Sequence, residues 1–136
     1  LHLHGQILKA RSSNTPHTEG NPELFDVGLE GIQPDQKAPD GSLLRPHVVF
    51  FQEDVPNMSN AIDMVKTADV LIVVGTSLNV YPAASLVWDV KEGCKVFYVD
   101  PTEDLDAAHS FPCRHVKAPA TSGIQMVLEQ LRKVNV

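Results

Sequence analysis

Residues 70 to 74, Val70-Leu71-Ile72-Val73-Val74, form an unbroken apolar run that ends at Gly75-Thr76-Ser77. A strand with one wet face alternates polar and apolar side chains. A continuous run is what a central parallel strand shows when helices cover both its faces. The flanking segments agree. Met58, Ala61, Ile62, Val65 and Ala68 recur at helical spacing before the run. After it, Pro82 suits a first helical turn, and Leu86, Val87 and Val90 precede a stop at Gly93. Lys95 to Val99 reads as another strand, closed by Asp100-Pro101, with a short strand near His115-Val116.

Two further elements bracket this set. His47 to Phe51 is a β-branched and aromatic run after a proline, and is expected as a strand. At the other end Ser122 and Gln125 form a possible capping box. The last helix is expected to turn Ile124, Val127, Leu128 and Leu131 to one face. Strands alternating with helices imply an α/β fold with a doubly wound parallel sheet, Rossmann-like in its connectivity. Ligands of such sheets bind outside the carboxyl ends of the strands, here near residues 75 to 82 and at Asp100.

The first third of the chain has a different texture. Ala10 to Ser42 is rich in Ser, Asn, Pro, Gly and Asp, and reads as loop or a small irregular subdomain. Three segments are therefore expected. Residues 1–9 hold a strand end, residues 10–44 the irregular subdomain, and residues 45–136 the larger α/β part. The chain begins at Leu1 in what already reads as a strand, so a fragment of a longer protein is expected.

Composition narrows the partners. At 136 residues and 43% hydrophobic, one domain with a real core is affordable, and disorder is not expected. A formal net charge of -6 argues against nucleic acid, which needs a basic patch. No apolar run approaches the roughly 20 residues that cross a bilayer, so no membrane partner is expected. Cys94 and Cys113 make no CxxC pair and no metal spacing, and fit a reducing cytoplasm.

Three stretches carry chemistry. They are Leu3-His4-Gly5, then Leu44-Arg45-Pro46-His47-Val48-Val49-Phe50-Phe51-Gln52-Glu53, then Gly75-Thr76-Ser77-Leu78-Asn79-Val80-Tyr81-Pro82-Ala83-Ala84. Their order and spacing resemble the sirtuin family of NAD-dependent protein lysine deacylases, from Leu1 to about Leu131. The wording of Leu44 to Phe51 is most similar to bacterial sirtuins of the branch that includes the mitochondrial desuccinylases. The implied fold is the C-terminal portion of a sirtuin catalytic domain.

The resemblance implies roles residue by residue. His4 would be the general base that helps deprotonate a ribose hydroxyl of NAD, and imidazole is the side chain that exchanges protons near neutral pH. Taken alone, His4 reads first as a structural histidine at a strand end; the motif context reverses that preference, and Gly5 assigns the motif to it rather than to His2. Val49, Phe51 and Glu53, with Val80 on a second strand, would clamp an acyl-lysine peptide by strand addition. Gly75, Thr76, Ser77 and Asn79 would bind NAD, since small residues let a nucleotide approach and hydroxyls bond ribose or phosphate. Asp100 would contact adenosine, or merely cap a turn before Pro101. Ala120, with Thr121, would pack on adenine. A non-catalytic nucleotide- or peptide-binding module is the alternative function.

The chain departs from the family at three places. Most sirtuins carry four zinc cysteines after the catalytic histidine. Here Ser12, Ser13, Ala38 and Asp40 stand near those places and His17 is the one nearby imidazole, so no metal is expected and Leu24, Phe25, Val27, Leu29 and Ile32 are expected to hold the small subdomain. The family's Phe-Gly-Glu is Phe51-Gln52-Glu53, which makes the local loop geometry a point to examine. The glycine-rich turn and other upstream cofactor segments are not in the sequence, so residues 1–136 alone are expected to be a poor catalyst.

Overall fold

A computed structural model describes residues 1–15, 22–102 and 111–134. It divides the chain into two compact units, Leu1–Ala61 and Ile62–Val136.

The first unit is built on a three-stranded antiparallel sheet of order β2-β1-β3, with β1 at Gly5–Ser12, β2 at Phe25–Asp26 and β3 at Leu44–Val48. Residues expected as irregular thus supply the end of β1, all of β2 and the start of β3. Gly5 pairs with Val48 and Gln6 with His47, then a register shift intervenes before Ala10 meets Pro46 and Arg11 meets Arg45. β3 begins and ends three residues earlier than the expected strand at His47–Phe51, because β1 is its partner and that pairing stops at Gly5. Pro46 is tolerated because β3 is an edge strand among the described residues, where a missing N–H is harmless.

Of the core expected for this unit, Leu24, Phe25, Val27 and Ile32 are half-buried, whereas Leu29 is 96% exposed. The fully buried apolar side chains are the small Ala10, Ala38 and Ala61. Polar contacts add to these. Ser12 Oγ donates to Asp40 Oδ2 at 2.6 Å and lies 2.6 Å from Ser42 Oγ, which itself donates to Asp40 Oδ1 at 2.7 Å. The Ala38–Ser42 turn is closed by the Ala38 N–H on the Ser42 carbonyl.

Helix α1 spans Met58–Thr67, as its spacing predicts. The second unit is a parallel sheet of order β4-β5-β6, with β4 at Val70–Val74, β5 at Lys95–Val99 and β6 at Arg114–Val116. Alternation along β5 sorts the core into two layers. Val96 and Tyr98 pack with Val73, Val87 and Phe111 on one face. Phe97 and Val99 pack with Val116, Ala118 and Val127 on the other. A parallel sheet covered on both faces is the partial Rossmann-like architecture expected.

Two elements differ from expectation. The segment after Pro82 is a short 3-10 helix, Ala83–Trp88. Three residues per turn puts Ala84 and Val87 on one side, and both are buried. The last helix, α2, spans Ala120–Val134 and starts before Ser122, so no capping box forms; Ser122 Oγ donates back to the Pro119 carbonyl instead. Its inward face is led by Val127, while Leu128 is exposed. Gly123 lets α2 close on β5: a Cβ there would sit 2.3 Å from Val99 Cγ1. Among the described residues no helix is long and apolar enough to cross a membrane.

Candidate functional site

The candidate residues fall into two groups, one in each unit. In the first unit His4 is exposed at the turn entering β1. The backbone around it is held at three points. Val49 N–H donates to the His4 carbonyl at 2.9 Å, Gly5 N–H reaches the His2 carbonyl at 3.4 Å, and Asn57 Nδ2 donates to that same carbonyl at 3.1 Å. Gly5 has φ +93°, and a Cβ there would lie 2.1 Å from the His47 carbonyl oxygen. Only glycine fits, so the turn that displays His4 is fixed by the residue after it.

The same hydrogen bond brings His4 and Val49 together. Val49 lies just past the end of β3 and is half-buried. Phe51 is 92% exposed at the tip of the following turn. That turn closes by the Glu53 N–H on the Phe50 carbonyl at 3.1 Å, with Gln52 at φ +72°. Here lies the consequence of the missing family glycine: Gln52 adopts the left-handed conformation that glycine takes without cost.

Glu53 turns inward. Its carboxylate accepts from Arg45 Nη1 at 2.7 Å and Nη2 at 3.0 Å, and from the Phe50 N–H at 2.8 Å. Arg11, 1% exposed, stands directly across the sheet from Arg45. Burial lowers the Arg11 pKa, the Arg45 charge lowers it further, and Glu53 opposes both. Burial and then the Arg11 charge lower His47, which is therefore neutral at pH 7. Buried guanidinium nitrogens of Arg11 and Arg45 and the His47 Nδ1 make no hydrogen bond. Glu53 is thus the counter-charge of a basic cluster.

The second unit presents Gly75, Thr76, Ser77, Asn79 and Val80 at the carboxyl end of β4, all exposed. A Cβ on Gly75 would meet nothing within 4 Å, so the space over the strand end is open. Thr76 Oγ1 accepts from the Leu78 N–H at 3.1 Å. Beneath the loop, the buried Tyr98 hydroxyl donates to the Thr76 carbonyl at 2.8 Å, and Gly75 N–H donates to the Val99 carbonyl at 3.3 Å. Asp100 ends β5, where its Oδ1 accepts from the Thr102 N–H at 2.9 Å and its carbonyl lies 3.0 Å from His115 Nε2. Ala120 is exposed at the first turn of α2.

Val80 does not lie on a strand. Its carbonyl accepts the Ala84 N–H at 2.9 Å in the turn that precedes the 3-10 helix, which takes it out of a ladder. The residues at the places of the family's zinc ligands do not fit that metal. Of Ser12, Ser13, Ala38 and Asp40, the Ser12 hydroxyl and the Asp40 carboxylate are spent on each other and on Ser42, and Ala38 offers no donor. His17 lies outside the described residues.

Sequence reasoning missed Arg45, Asn57 and Tyr98 as holders of the site. Arg45 was detectable, since a charged residue entering an apolar strand demands a partner, and Glu53 is the acid that follows.

Open small residues at the ends of parallel strands, with core layers on both sheet faces, define a partial Rossmann-like fold, a class whose ligands bind at such strand ends. The model of the Sir2 family matches residues 1–82, and the chain belongs to that family. An NAD-dependent protein deacylase of Bacteroides thetaiotaomicron is 36% identical over 136 residues, covering 96% of this chain and 56% of the relative. One from Aggregatibacter actinomycetemcomitans is 44% identical over 102 residues, covering 74% and 46%. The structure of a mutant Sir2 homologue with ADP-ribose superposes with a TM-score of 0.78 at 32% identity, over 98% of this chain and 53% of that one. The chain spans about half the length of the curated relatives it matches.

Proposed function

We propose that the protein is an NAD-dependent protein lysine deacylase, of which this chain supplies the general base, the peptide-binding segment and one wall of the nucleotide site. The observation that carries this reading is the His4–Val49 hydrogen bond. It fastens the histidine that would move the proton to the segment that would hold the acyl-lysine.

The residues fit the nucleotide. Gly75 leaves room over the strand end, and Thr76 and Ser77 offer hydroxyls to ribose or phosphate. Tyr98 holds the Thr76 carbonyl from below, so the loop is presented rather than collapsed. Asp100 stands at the end of the neighbouring strand, and Asn79 and Ala120 add lesser contacts. When bound, NAD supplies the anomeric carbon that the acyl oxygen attacks. His4 accepts a proton at its exposed imidazole, oriented by Gly5 and by Val49 on its carbonyl. Val49 bonds the substrate main chain, and Phe51 lies along the lysine stem. The substrate is an acylated lysine of a protein or peptide. The family likeness and the names of the relatives support the reading.

The test is incubation of the protein, at its natural length, with NAD and an acetyl- or succinyl-lysine peptide. Equimolar nicotinamide and O-acyl-ADP-ribose, detected by mass spectrometry, are expected. Acyl-lysine hydrolysis that proceeds without NAD, releasing free acid, refutes it.

A further inference from the structure

The turn from Phe50 to Glu53 carries a cost and a brace. The cost is Gln52 at φ +72°, in the third position of a turn that favours glycine. The brace is Arg45. Its fork grips both oxygens of Glu53 at 2.7 and 3.0 Å, and one of those oxygens holds the Phe50 N–H at 2.8 Å. The Arg45 guanidinium also lies 4.5 Å from the centre of the Phe50 ring, a cation–π distance. One side chain, anchored on β3, therefore ties down the first and last residues of the turn. Between those two points the chain exposes Phe51.

The pair is three-quarters or more buried, with side chains 21% and 25% exposed. A forked, charge-assisted contact in that setting is both stronger and more directional than a surface ion pair. Lysine would keep the charge but could not span both oxygens in this way.

We infer that Arg45 and Glu53 are positioning residues for the Val49–Phe51 segment, and that their pairing compensates for the left-handed Gln52 within it. The inference rests on the reading of Val49 and Phe51 as the acyl-lysine contacts. Glu53 then acts through Phe50 and Arg45 rather than by touching substrate. Gly at position 52 removes the cost, so it also lowers the need for the brace. The two sites are coupled.

The experiment is a double-mutant cycle on the natural-length protein, with Arg45→Met, Gln52→Gly and the combination. The first readout is binding of a fluorescent acetyl-lysine peptide beside binding of ADP-ribose. Arg45→Met is expected to weaken the peptide about tenfold, the worth of one charge-assisted hydrogen bond, and to leave ADP-ribose nearly unchanged. Gln52→Gly in the Arg45→Met background is expected to restore most of the peptide affinity. Additive effects, or equal losses for both ligands, overturn the inference.

The second readout is amide exchange at Phe50, which needs no ligand. Its protection is expected to fall in Arg45→Met and to return when Gln52→Gly is added. Unchanged protection in Arg45→Met overturns the brace. If the wild-type protein binds no acyl-lysine peptide while the Phe50 pattern holds, the substrate reading fails and the brace stands.

Discussion

Gly5→Ala, set against Gly28→Ala, separates two ways in which a glycine can be required. Both glycines have positive φ, +93° and +52°. An L side chain in the left-handed region costs about 1–2 kcal/mol at either position. Gly28 has nothing within 4 Å of an added Cβ. At Gly5 the added Cβ would lie 2.1 Å from the His47 carbonyl oxygen, 2.9 Å from its carbon and 3.0 Å from Val48 Cα. All three are backbone atoms of β3, so no rotamer change relieves the overlap. β3 must move away, at the expense of the Gly5–Val48 pairing and the Val49 N–H on the His4 carbonyl, about 1 kcal/mol for each hydrogen bond.

Loss of chain entropy in the unfolded state returns about 0.4–1 kcal/mol to both variants. The net expectation is a loss of about 2–3 kcal/mol for Gly5→Ala and about 0.5–1 kcal/mol for Gly28→Ala. Urea unfolding followed by circular dichroism, read as a midpoint shift at constant slope, measures both. Equal shifts, or a Gly5→Ala protein as stable as the Gly28→Ala one, refute the reasoning.

Gly123→Ala forces a methyl onto Val99, itself 1% exposed, and is expected to cost about 1–3 kcal/mol by thermal or urea unfolding. Glu53→Gln leaves Arg11 and Arg45 facing each other without their counter-charge; for a pair this buried about 2 kcal/mol of stability should go, between the surface and fully buried cases, and Gln52→Gly should not recover it. Hydrogen bonds from Ser12, then from Ser42, hold the Asp40 carboxyl below its ordinary value, so its contribution is complete above the ordinary carboxylate range and fades as pH falls through the lower folded value. Acid titration of stability should therefore show a component that disappears in Asp40→Asn. A chelator should leave the melting temperature unchanged, because the Ser12–Asp40–Ser42 contacts need no metal.

The second unit was largely legible because its signals are apolar. The Val70–Val74 run, the alternating Val96 to Val99 and the spaced residues of α1 each announce their element by the area they bury. The first unit hides its sheet. β1 exposes Ile7 and Leu8 and buries Ala10, Arg11 and Ser12, so the period-two pattern that marks a strand is missing. Its stability comes from pairing and from Ser12, Asp40 and Ser42, residues that read as loop by composition. The segment after Pro82 looked helical because Leu86, Val87 and Val90 fit that period, but it forms the tighter 3-10 turn, which buries Ala84 and Val87.

At the candidate site, motif wording singled out His4 and the Gly75 loop. The charge of Arg45 at the head of an apolar strand hinted at its pairing with Glu53, but the Arg11 neighbour that makes the cluster basic is set only by register. Nor could motif wording show that Val80 lies in the turn before the 3-10 helix instead of on a strand, since its carbonyl is claimed by Ala84.

The central claim is that His4 is the proton acceptor and that its neighbour His2 serves only through its backbone. The direct measurement compares NAD-dependent deacylation by natural-length His4→Ala and His2→Ala proteins, each shown to be folded. The account predicts that His4→Ala loses deacylation while His2→Ala keeps it, since the contacts at His2 are made to its carbonyl. Deacylation that survives His4→Ala, or that is lost only in His2→Ala, contradicts it.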